Sequence, residues 1–119
     1  MGDIEAEDRA DAVFHALADR TRRDILRRVL AGDHSVTALA AKYEMSFAAV
    51  QKHVAVLERA GLVSKRRSGR EQLAAGEVGT VRSVASMLGE LEDVWRGRVA
   101  RIDELLSTEG PATRTSKGG

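Results

Sequence analysis

Apolar residues recur along this chain at intervals of three and four, the period of helices with one buried face. Ala10, Val13, Phe14 and Leu17 mark a first helix near residues 8–18. Ile25, Leu26, Val29 and Leu30 stripe a second in RTRRDILRRVLA, with Asp19 placed to cap its start and Gly32 to end it as a C′ residue. A third helix starts at His34-Ser35, with Ser35 as cap and Val36, Leu39 and Ala40 facing inward. After the turn YEMS, Ser46 caps a fourth helix whose inward stripe is Val50, Val54 and Leu57, and which stops at Ala60-Gly61. The turn has no glycine, so Glu44 or its neighbour is expected to carry the backbone strain, and Met45 to plug the angle between the helices. Ser35–Val63 is therefore a helix-turn-helix, a unit that presents the outer face of its second helix to a partner.

The pattern then changes. LVSKRRSGREQLA predicts a β-hairpin turning at Ser68-Gly69. Its second strand, EQLAAG, has no β-branched or aromatic residue, so a short or irregular hairpin is expected. From about Val78 to Ser107 the chain reads as helix again. Val81, Val84, Leu88, Leu91 and Trp95 form a coiled-coil seam, and the stripe shifts register to Val99, Ile102 and Leu106 rather than placing Arg98 in it. Gly89 and Gly97 weaken this helix and leave a break near Leu88-Gly89 open. So long an apolar seam on so small a body predicts pairing with a second copy. The expected organisation is a flexible N-terminus over 1–7, a winged helix-turn-helix domain with its dimerisation helix over 8–107, and a disordered tail over 108–119. The fold class is mainly α with a small β-hairpin.

Net charge is only +1, but it is segregated. Residues 1–19 hold six acids against one base, and residues 20–32 hold five arginines against Asp24. Residues 64–72 hold Lys65, Arg66, Arg67 and Arg70 against Glu71, and residues 77–109 return to acid with seven acids against four arginines. A basic face on an acidic body attracts phosphate. With no cysteine, no apolar leader and no run of membrane-spanning length, the chain is expected to be soluble and cytoplasmic. It has no Ser/His/Asp context and no glycine loop for phosphates, and no enzymatic activity is expected.

The open side of the fourth helix carries Phe47, Ala48, Ala49, Gln51, Lys52 and Ala55. Two alanines beside Gln and Lys let a helix approach base edges while keeping hydrogen-bonding groups. A Gln can pair with adenine, and a Lys with guanine or a phosphate. The basic hairpin beside it is the wing of a winged helix, suited to gripping the DNA backbone or minor groove.

Taken together, ALADRTRRDILRRVLAG, SVTALAAKYEMSFAAVQKHVAVLERAGLV and SKRRSGRE resemble the ArsR family of bacterial winged helix-turn-helix regulators, over roughly residues 10–106. L-x-x-V-W-R-x-R-V-x-x-I-D-x-L-L resembles a sub-branch with Trp in the last helix. The resemblance implies a homodimer built on the first and last helices, with the fourth in the major groove of double-stranded DNA. The leading reading is a sequence-specific repressor acting on an inverted repeat. Residues expected at DNA are Ser46, Phe47, Ala48, Ala49, Gln51, Lys52, His53, Lys65, Arg66, Arg67 and Arg70. Residues expected at the dimer interface are Val13, Phe14, Leu17, Val84, Leu88, Leu91, Trp95, Val99 and Ile102. His53 matches the family's recognition-helix His, as a brace or a phosphate contact; His15 lies beside an apolar stripe and His34 in a loop.

The chain also departs from the family. Ser35, Val36 and Thr37 stand where metal sensors keep a C-V-C motif, and no His lies in the last helix, where Asp93, Asp103 and Glu104 read as solvated carboxylates. No metal or cofactor is expected. An unidentified small ligand near Trp95, a partner protein or concentration alone remain as the controlling signal. The alternative reading is a winged-helix module that binds protein, for which four wing bases have little use.

Overall fold

A computed structural model of the protein describes residues 2–109. Its elements are α1 (Gly2–Leu17), α2 (Arg20–Ala31), β1 (His34–Ser35), α3 (Val36–Ala40), α4 (Phe47–Arg59), β2 (Val63–Ser68), β3 (Glu71–Gly76) and α5 (Val78–Glu109). They fall into two compact units, one reaching Val84 and one starting at Ala85. Residues beyond 109, most of the expected tail, lie outside the described residues. α1 begins at Gly2 rather than Asp8. Its opening, GDIEAEDR, holds no proline and is acidic, which suits the positive end of a helix dipole, so residues expected to be frayed continue the helix.

In the first unit the caps fall where the sequence puts them. Asp19 accepts the Arg22 N–H at 3.0 Å, Ser35 the Ala38 N–H at 3.0 Å and Ser46 the Ala49 N–H at 3.1 Å. The core is aliphatic: Val13, Ile25, Leu39, Val50, Val54, Leu57 and Leu62 are fully buried. Leu30 is not among them. Ile25, Leu26 and Val29 complete the buried stripe of α2, and Leu30 lies exposed beyond it, against Gly76 at the end of β3. Gly32 does end α2, but in extended backbone (φ 174°) rather than the left-handed turn expected of a C′ glycine. α4 ends as predicted, with Gly61 at φ 79°, its N–H on the Glu58 carbonyl and the Leu62 N–H on the Leu57 carbonyl, both at 3.0 Å. That double closure is the Schellman motif.

Three expectations are corrected. No residue other than glycine has positive φ among the described residues, so the α3–α4 connection carries no strained Glu44. Its extra length, Ala41 to Ser46, opens the turn instead of sharpening it. Met45 points to solvent, and Tyr43 packs against the core in its place. The hairpin is neither short nor irregular: it pairs from Val63↔Gly76 to Ser68↔Glu71, around a Gly69-Arg70 loop in which Gly69 supplies φ 63°. Weak propensity in EQLAAG is overridden because β3 is the central strand, paired to β2 on one edge and to His34–Ser35 on the other.

Tyr43 also carries a polar anchor. Its hydroxyl donates to Asp24 Oδ2 at 2.6 Å, and the same oxygen accepts from Arg28 Nε at 2.9 Å. Burial pushes the phenol up to about 12, and the hydrogen bonds from Tyr43 and Arg28 hold the Asp24 carboxyl below the usual carboxylate range. A depressed carboxyl contributes stability above its ordinary pKa and loses it as pH falls through the lowered one. Tyr43→Phe is expected to cost about 1 kcal/mol in urea denaturation near neutral pH. The deficit should shrink in acid as Asp24 protonates; an undiminished deficit would mean the phenol stabilises by packing alone.

α5 is one helix from Val78 to Glu109, without a break at Leu88-Gly89. A glycine in a helix costs only about 1 kcal/mol, too little to interrupt it. Val81 and Val84 pack on the core of the first unit. In the second unit, Leu88, Leu91, Trp95, Val99, Ile102 and Leu106 are exposed, and so are Val94 and Leu105, which widen the apolar face. The Arg98 guanidinium lies 5.8 Å from the Trp95 ring centroid, a cation–π contact at the point where the apolar stripe shifts register.

Candidate nucleic-acid interface

α4 is held from behind. Val50, Val54 and Leu57 are buried, which leaves Phe47, Ala48, Gln51 and Lys52 on the open side and Ala49 and Ala55 at its margins. The Ser46 cap fixes the first turn, and three small or flat side chains there leave room for a groove floor. Beyond this helix stands the β2–β3 hairpin. Between them lies a cleft of about 240 Å³ lined by Val36, Thr37, Phe47, Gln51, Val54, Lys65, Arg70, Glu71 and Gln72. It brings the predicted base-reading Gln51 and Phe47 together with the predicted wing residues Lys65 and Arg70.

The wing bases are not equivalent. Along β2, alternation turns buried Val63 and exposed Lys65 toward α4, and Arg67 falls on the same side. Lys65 Nζ lies 3.4 Å from Glu58 Oε1 of α4. Arg66, on the other face, reaches Asp33 Oδ2 at 3.1 Å. Arg67 donates from Nε to the Gly69 carbonyl at 3.3 Å, and Arg70 sits in the hairpin loop. Lys65 and Arg66 are thus tied to carboxylates of their own chain. Among the described residues Arg67, Arg70 and Lys52 make no ion pair, and they are the cations offered outward. Exposed surface pairs of this kind contribute at most about 1 kcal/mol, so a phosphate could compete for Lys65 or Arg66.

His53 differs from its neighbours on α4. It faces inward, with Nδ1 3.3 Å from Arg22 Nη1 and 4.0 Å from Asp19 Oδ2. Of its two expected roles this position fits the brace. Arg22 itself was missed from sequence, although the TRR run beside the Asp19 cap could have flagged it. Val13 is likewise corrected: it is fully buried inside the protomer and cannot belong to a dimer interface. Leu17 and Val84 are partly buried against the same core, whereas Phe14 is exposed.

The residues at the position of the family's cysteine pair do not suit a soft metal. The Ser35 hydroxyl is occupied as the α3 cap, Val36 is buried, and Thr37 lines the cleft. Among the described residues no group of three or more His, Cys, Asp or Glu side chains converges, and no helix is long and apolar enough to cross a membrane.

Residues 17–66, which span α2 to the middle of β2, match the model of a helix-turn-helix domain. Over 103 residues the chain is 31% identical to the HTH-type transcriptional regulator Rv2034 of Mycobacterium tuberculosis, covering 87% of this chain and 94% of that protein. Among solved structures, the ArsR-like transcriptional regulator of Rhodococcus sp. RHA1 superposes with a TM-score of 0.74 at 30% identity, over 83% of this chain and 93% of that one. The homodimeric winged helix-turn-helix DNA-binding domain of Mb0332 from Mycobacterium bovis gives 0.60 at 26% identity, over 72% and 81%.

Proposed function

We propose that this chain, which belongs to the ArsR family of winged helix-turn-helix transcriptional regulators, acts as a homodimeric repressor reading an inverted-repeat operator. The observation that carries this is the cleft that sets Phe47 and Gln51 of α4 beside Lys65 and Arg70 of the wing. Groups able to read base edges lie there next to groups able to hold phosphate. In a two-fold dimer the two α4 helices enter successive major grooves, about 34 Å apart along the duplex. The exposed apolar face of α5 supports pairing of two copies, with Phe14 of α1 as a further candidate contact. Ser35, Val36 and Thr37 support a regulator whose response does not run through a thiolate metal site.

Selection of bound sequences from random duplexes by the purified protein tests the reading. A two-fold symmetric consensus with half-sites one helical turn apart is expected; recovery of no consensus, or an unpaired one, would sink it. Within the site, Gln51→Ala is expected to lose about 1–3 kcal/mol of discrimination at one base pair per half-site, with random duplex affected little. Arg67→Ala should weaken operator and random duplex alike and lower the salt slope by about one unit per protomer. If both variants lose the same affinity on both duplexes, the division between reading and gripping is wrong.

A further inference from the structure

His53 stands on the inner side of the helix we assign to the major groove, its side chain 22% exposed. Its Nδ1 meets Arg22 Nη1, and the same guanidinium donates from Nε to the Ala16 carbonyl at 2.7 Å and from Nη2 to the His15 carbonyl at 3.1 Å. Those carbonyls close the C-terminal end of α1, where helical N–H partners run out. One planar cation therefore joins the end of α1 to the middle of α4. A guanidinium has only donors, so its contact with His53 uses the Nδ1 lone pair and leaves the imidazole proton on Nε2.

We propose that Arg22 and His53 are positioning residues for DNA reading: His53, accepting at Nδ1, ties the recognition helix through Arg22 to the end of α1. The proposal rests on α4 being the DNA-reading helix. Asp19 Oδ2, 4.0 Å from the same nitrogen, lies beyond hydrogen-bond reach, so Arg22 is the partner that holds the ring. Among the described residues, Arg22 of α2 and Asp19 before it are the charged side chains in contact with His53, and α1 enters the node through the Ala16 and His15 carbonyls that Arg22 holds.

The test compares operator affinity at neutral pH and fixed salt for wild type, His53→Leu, which has no acceptor, and His53→Asn, whose Oδ1 replaces Nδ1 as one. His53→Leu is expected to weaken binding about fivefold, the worth of one hydrogen bond, and His53→Asn by less than about twofold. Nitrogen-15 spectra of histidine-labelled protein without DNA give the second readout: His53 should carry its proton on Nε2. An equal loss in the two variants, wild-type affinity in His53→Leu, or a proton on Nδ1 overturns the bridge while leaving DNA reading intact. Wild type that binds no duplex overturns the DNA-reading assignment and this positioning role with it.

Discussion

Gly76→Ala is expected to lower the stability of the first unit by about 2 kcal/mol and its melting temperature by about 10 °C. A Cβ on Gly76 would lie 2.6 Å from Leu30 Cδ2, 2.8 Å from Cγ and 2.9 Å from the Leu30 α-carbon. Two of these atoms belong to an exposed side chain that can rotate away. The third is backbone, and it moves only if α2 shifts off the sheet. β3 is the central strand, so that shift disturbs its pairing with both neighbours. Leu30→Ala in the same protein should recover only part of the loss, because the clash with the α2 backbone persists. Gly69→Ala is the control: its Cβ meets nothing within 4 Å, and its φ of 63° should cost about 1 kcal/mol. Thermal denaturation of the four proteins decides the matter. A Gly76→Ala protein as stable as wild type would mean that the helix and the sheet do not approach closely there.

The seating of Leu30 over Gly76 also shows where the chain was legible and where it was not. Helices and caps follow from local pattern, because Asp19, Ser35 and Ser46 each satisfy an N–H three residues ahead. The helix-turn-helix and its open face follow from the same local rules. What could not be read is what distant strands and helices decide. His34-Ser35 looks like a cap, yet it is also an edge strand, because β3 arrives from some forty residues further on to pair with it. That pairing makes a regular strand of EQLAAG and leaves Gly76 beneath Leu30. The wing's basic run was visible, but only strand alternation separates Arg66, turned to Asp33, from Arg67. His53 was nameable as a brace or a contact, and only the fold, by bringing Arg22 to it, favours the brace.

Leu91→Glu is expected to convert the protein from dimer to monomer at micromolar concentration while leaving the protomer folded. Leu91 is 64% exposed and Trp95, one turn on, 57%, in a helix whose neighbouring Leu88, Val94, Leu105 and Leu106 are exposed as well. A monomeric surface rarely leaves so continuous an apolar face open to water. Burying one leucine is worth about 1.5–3 kcal/mol, and two-fold symmetry counts it twice. The substitution therefore forfeits about 3–6 kcal/mol, two to four orders of magnitude in dissociation constant, before the cost of burying an unpaired carboxylate. The core of the first unit does not include Leu91, so circular dichroism and the urea transition of the monomer should keep their native form. Sedimentation reads the mass directly, and a Leu91→Glu protein that remains dimeric would place the interface elsewhere. The same variant separates dimerisation from reading. Affinity for an isolated half-site should be unchanged, since α4 and the wing are untouched. Affinity for the complete inverted repeat should fall toward that of the half-site, because the second α4 no longer arrives tethered to the first.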